Sequence, residues 1–63
     1  MIINGEKLEF KELKFSELLK QRGLEAKFVA LELNGEVISR DKFESLVLKE
    51  NDKAELVNFV GGG

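Results

Sequence analysis

The sequence closes on Gly61-Gly62-Gly63, and Gly63 is the residue best suited to do chemistry. Glycine has no Cβ, so nothing crowds an attack on its carbonyl carbon, and three in a row can thread a narrow channel. A terminal carboxylate on Gly63 is ionised at neutral pH and is a poor electrophile. Transfer of AMP from ATP would turn it into an acyl-adenylate. A sulfur nucleophile could then displace AMP and leave a thiocarboxylate, with Gly62 giving the reacting group its slender approach. Taken alone, such a tail favours a plain chain end. Joined to the rest of the chain, it favours this chemistry.

The side chains offer little else to react. The sequence has no His, Cys, Tyr or Trp. The two commonest acid–base and nucleophilic side chains are therefore missing, and so are disulfides and thiolate metal sites. With 63 residues there is room for one domain and for no deep pocket. These facts point to a partner or co-substrate of enzymes rather than an enzyme, with no bound cofactor and no metal. The formal charge is −2 with acids and bases interleaved, so there is no basic patch for nucleic acid. The longest apolar stretch, Phe28-Val29-Ala30-Leu31, is too short for a membrane span. No leader is expected, because Asn4, Gly5, Glu6 and Lys7 interrupt the N-terminal apolar run, and the absence of Cys fits the cytoplasm.

The elements that must carry the tail follow from patterning. Asn4-Gly5 is a hairpin signal, because a type I′ turn needs φ > 0 at both central residues. Pairing about it sets Met1 opposite Leu8 and puts Met1, Ile3, Leu8 and Phe10 on one face. Residues 15–22 form a short helix with Phe15, Leu18 and Leu19 as its apolar stripe. Gly23 follows at C′, and Lys14 stands at the cap without a capping side chain. Residues 28–33 form a strand with Val29, Leu31 and Leu33 facing one way. Asn34-Gly35 turns it back into 36–38. Residues 39–47 read as irregular, with Asp41 capping one helical turn and Phe43, Leu46 and Leu48 anchoring the segment. Glu50-Asn51-Asp52 supplies too few oxygen donors for a calcium loop and reads as a solvated turn.

The last strand, 54–60, turns Ala54 and Leu56 inward, which leaves Val57 and Phe59 outside. With Val60 and Gly61 they make a candidate docking segment for a partner. The order β-β-α-β-β-β predicts an α+β fold: a mixed sheet of about five strands with one helix packed on one face. Residues 1–60 form the domain and 61–63 a flexible tail.

With these residues in view, the chain resembles the ThiS family, the sulfur carriers of thiamine biosynthesis with a ubiquitin-like β-grasp fold. The resemblance covers essentially the whole chain. Leu33-Asn34-Gly35-Glu36-Val37-Ile38-Ser39-Arg40 looks like the family's Asn…Val-Pro-Arg segment, and Leu48 through Gly63 looks like its ending in Val-Gly-Gly-Gly. Ser39 stands where Pro is frequent, Phe43 where Trp is frequent, and Asn51 where the turn carries Gly.

The resemblance implies a cycle. A ubiquitin-activating-like adenylyltransferase uses ATP and magnesium on Gly63. A sulfurtransferase or cysteine desulfurase system supplies sulfur, and the thiocarboxylate delivers it to thiazole synthase. Three alternatives stay open: a molybdopterin-synthase small subunit, a ubiquitin-like modifier joined to target lysines through Gly63, and a binding module with an inert tail. The first usually has a longer chain.

Overall fold

Two Asn-Gly pairs reverse the chain where the sequence predicts. Asn4 and Asn34 both sit at φ 51°, followed by Gly5 at φ 82° and Gly35 at φ 85°. Asn tolerates this left-handed region better than other residues with a Cβ, and Gly enters it freely. The computed structural model describes residues 1–59. The Asn4-Gly5 turn joins β1 (Ile2–Ile3) to β2 (Glu6–Lys7). Next come β3 (Glu12–Lys14) and α1 (Phe15–Gln21), a 3₁₀ turn at Ala26–Phe28 and β4 (Val29–Leu33). After Asn34-Gly35 come β5 (Glu36–Ile38), a 3₁₀ turn at Arg40–Lys42, β6 (Val47–Lys49) and β7 (Lys53–Asn58).

Five of these strands form one mixed sheet in the order β2-β1-β7-β4-β5. β7 lies at its centre, parallel to β1 (Ile3 beside Ala54) and antiparallel to β4 (Leu31 beside Leu56). Helix α1 covers one face through buried Phe15, Leu18 and Leu19. This is the expected α+β, β-grasp arrangement. From the sheet, Ile3, Val29, Leu31, Ala54 and Leu56 meet that helix in the core. Phe15 and Phe43 pack edge to face with ring centroids 4.7 Å apart, a pairing worth about 0.5–1.5 kcal/mol beyond burial alone.

The ends of α1 are held by backbone rather than side chains. Lys14 stands at the N-cap with no side-chain hydrogen bond. The preceding strand β3 instead pairs with β6 in a separate two-stranded sheet, and the Phe15 N–H continues that pairing to the Leu46 carbonyl at 3.0 Å. At the other end Gly23 has φ 66°. Its N–H reaches Lys20 at 3.1 Å, and the Leu24 N–H reaches Leu19 at 2.9 Å. This pair of bonds is a Schellman closure, and it explains why Gly stands at C′.

Four expectations need correction. Phe10 does not join the inner face and is 43% exposed. β2 ends at Lys7, so alternation stops carrying the chain before Phe10. The segment 39–47 is not wholly irregular, because Val47 opens strand β6, and β3 was not anticipated. Asp41 lies inside its 3₁₀ turn rather than capping it; Ser39 is the cap residue and makes no side-chain bond. The last strand is described as Lys53–Asn58, not from residue 54. Val60, the domain boundary expected there and the tail 61–63 lie outside the described residues.

Candidate docking face and carrier terminus

The strand that leads to the terminal glycines is fixed in the sheet by two side-chain amides. On one flank, the Asn4 N–H donates to the Ala54 carbonyl at 2.9 Å, and Asn4 Oδ1 accepts the Leu56 N–H at 2.6 Å. Beyond Ile3, the parallel ladder is thus extended by a side chain. On the other flank, the Asn34 N–H donates to the Lys53 carbonyl at 2.8 Å, while Asn34 Oδ1 accepts the Lys53 N–H at 2.8 Å. Asn34 Nδ2 also donates to Asp52 Oδ1 at 3.0 Å, and Asp52 Oδ2 accepts the Lys49 N–H at 2.8 Å. Asp52 is therefore spent on closing its turn and on Asn34. Each Asn both makes a turn and grips β7, which a β-branched or apolar residue could not do.

Alternation along β7 sorts its side chains into two sets. Ala54 and Leu56 are buried, while Val57 is 59% and Phe59 43% exposed. Val57 lies opposite Ala30 of β4, and the Phe59 N–H donates to the Phe28 carbonyl at 2.8 Å. Pairing with the neighbouring backbone therefore persists to the last described residue. Val37 of β5, at 77% exposure, lies on the same outer face beyond Glu32. The face opposite α1 is thus an open platform with Val37, Val57 and Phe59 on it. The structure places the docking candidates Val57 and Phe59 there. The other candidates, Val60, Gly61, Gly62 and Gly63, lie outside the described residues.

Sequence patterning missed Ala30, Glu32 and Val37 as face-mates of Val57. The Asn34-Gly35 turn sets Glu32 opposite Val37, which was readable. The register of β4 on β7 was not, because it joins segments far apart in the chain.

No charged or polar side chain is buried among the described residues. No group of three or more acidic, His or Cys residues there could hold a metal. The two ion pairs among them, Arg22–Glu6 at 3.7 Å and Lys49–Glu12 at 3.8 Å, are surface contacts of small energetic weight. No helix among the described residues is long and apolar enough to cross a membrane. The described domain presents a surface and holds β7 in place.

The ThiS family model matches residues 1–63. The chain belongs to the ThiS family. ThiS relatives agree in sequence and in shape. The chain is 35% identical over 63 residues to the sulfur carrier protein ThiS of Bacillus subtilis (strain 168), a match that takes in 97% of this chain and 96% of that one. It is 33% identical over 64 residues to a thiazole synthase of Paramagnetospirillum magneticum. That match covers 100% of this chain but only 20% of the relative, so the chain spans about a fifth of that protein's length. Among solved structures, the crystal structure of the thiamine biosynthesis protein ThiS from Geobacter metallireducens superposes with a TM-score of 0.73 at 35% identity. The superposition covers 98% of this chain and 96% of the other.

Proposed function

We propose that this chain is a sulfur carrier of thiamine biosynthesis and a protein co-substrate rather than an enzyme. The observation that carries the reading is the ThiS match, which runs through Gly63. The chemistry is then that of the terminal carboxylate. A Gly63 carboxylate oxygen attacks the α-phosphorus of ATP in an adenylyltransferase, magnesium assists there, and pyrophosphate leaves. A persulfide sulfur from a sulfurtransferase or cysteine desulfurase system attacks the Gly63 carbonyl carbon, and AMP leaves. A thiol then reduces the resulting acyl disulfide, becoming oxidised to a disulfide with the donor, and frees the thiocarboxylate.

Thiazole synthase is the proposed acceptor. In two relatives of that name, from Paramagnetospirillum magneticum and Magnetococcus marinus, a segment like this chain sits within a much longer polypeptide. Val57 and Phe59 make the apolar docking contact, and Val60, Gly61 and Gly62 lead Gly63 into the partner's site. ATP and a persulfide donor place the cycle in the cytoplasm.

The test is intact mass after incubation with ATP, magnesium, a persulfide source and the adenylyltransferase from the same genome. The expected result is the gain for one oxygen replaced by sulfur, mapped to Gly63 and lost when Gly62 and Gly63 are deleted. No gain with an activating enzyme shown to be competent would refute the carrier reading, and Gly63-linked protein adducts would identify a modifier instead.

A further inference from the structure

The outer face of the sheet carries an arrangement that works against the fold. Glu32 of β4 and Glu55 of β7 are directly opposite one another in the antiparallel ladder, and both are exposed. Like charges in that position destabilise a sheet. Neither carboxylate joins a salt bridge among the described residues, and Lys53, two residues along β7 on the same face, pairs with neither. Beside the two carboxylates is an open depression of about 260 Å3. Glu32 and Glu55 line it together with Ala30, Leu31, Val37 and Val57. An apolar floor beside paired negative charge matches one kind of side chain: an aliphatic stem ending in a cation.

We propose that this depression receives an arginine of the activating enzyme, an inference that rests on the carrier reading above. The stem lies over Val37 and Val57, and the guanidinium bridges the two carboxylates. Arginine suits the position better than lysine. Its planar fork presents several donors to two acceptors at once, and it sheds its hydration more readily. One positive charge set between two negative ones relieves the repulsion that the free chain carries. The apolar residues provide contact area, and the glutamates select which partner docks and in what orientation.

The test uses the full chain with Glu32→Gln and Glu55→Gln together, two isosteric changes at exposed positions. The fold and thermal midpoint are read by circular dichroism, and Kd for the activating enzyme is read by calorimetry across a salt series. The double variant is expected to melt at or above the wild-type temperature, to bind about tenfold or more weakly, and to lose most of the salt dependence of binding. V57A is expected to weaken binding without changing that salt dependence. Phenylglyoxal footprinting of the enzyme should show one arginine protected by the wild-type chain and not by the double variant.

An unchanged Kd and salt dependence in a folded double variant would overturn the proposal. So would protection of no arginine, or glutamate-dependent association of this chain with itself in place of the enzyme. Glutamate-dependent binding without AMP transfer to Gly63 would instead refute the carrier cycle and leave the arginine contact standing.

Discussion

Asn4 offers the sharpest test of how β7 is held. Its Oδ1 accepts the Leu56 N–H across 52 residues of sequence, at a part-buried position where β1 has already ended. Replacing Asn4 with Gly keeps the left-handed turn and removes only the acceptor. The Leu56 N–H then lacks its partner, which costs about 1–3 kcal/mol. Asn4→Ala loses the same acceptor and also forces a less tolerant residue to φ 51°, adding about 1–2 kcal/mol. A domain of this size has a total stability of about 3–9 kcal/mol, so either change removes a large share.

At about 4–8 °C per kcal/mol, Asn4→Gly should lower the thermal midpoint by roughly 8–16 °C for a 2 kcal/mol loss, and Asn4→Ala by more. Asn4→Asp keeps an acceptor oxygen and should lie nearest the wild type. Circular dichroism melts rank the series, and hydrogen exchange should show the Leu56 amide losing protection selectively in Asn4→Gly. A Gly variant that melts with the wild type and keeps the Leu56 amide protected would show that the side-chain bond contributes nothing, and the account of β7 would fail.

Two further perturbations separate the core from the surface. Leu56→Ala removes a buried side chain facing α1 and should cost about 2–5 kcal/mol, read as a collapsed or absent melting transition. Exposed Val57 and Phe59, each changed to Asp, should fold normally yet raise the KM of Gly63 adenylation about tenfold or more with kcat little altered. Equal losses of kcat and of stability in those variants would show that the outer residues support the fold rather than docking.

Much of this architecture was legible because local signals agreed with one another. The two Asn-Gly turns, the Phe15-Leu18-Leu19 stripe and Gly23 each specify a short stretch through steric rules acting within a few residues, and the structure keeps all of them. The alternation of Ala54 and Leu56 against Val57 and Phe59 was equally readable. What escaped was non-local or very short. Strands β3 and β6 are three residues each and exist only because they meet one another, so neither carries a pattern long enough to detect alone. Leu13, buried at their junction, was missed for the same reason. The grip of Asn4 on Leu56 and the juxtaposition of Glu32 with Glu55 depend on which strand flanks β7, and no local rule encodes that.

The central place of β7 also bears on how the protein is made. The sheet joins the β1–β2 hairpin to the β4–β5 hairpin through β7 alone, and β7 is the last strand among the described residues. Until residues 53–58 are in place, both hairpins have open edges and no strand between them. Two-stranded hairpins are marginal by themselves, and open edges invite pairing with other chains. A nascent or truncated chain short of β7 therefore has no native sheet to populate and is exposed to proteolysis or aggregation. Completion of the fold therefore waits on the strand that leads to the glycines, so a chain folded well enough to dock already has β7 seated between its two hairpins.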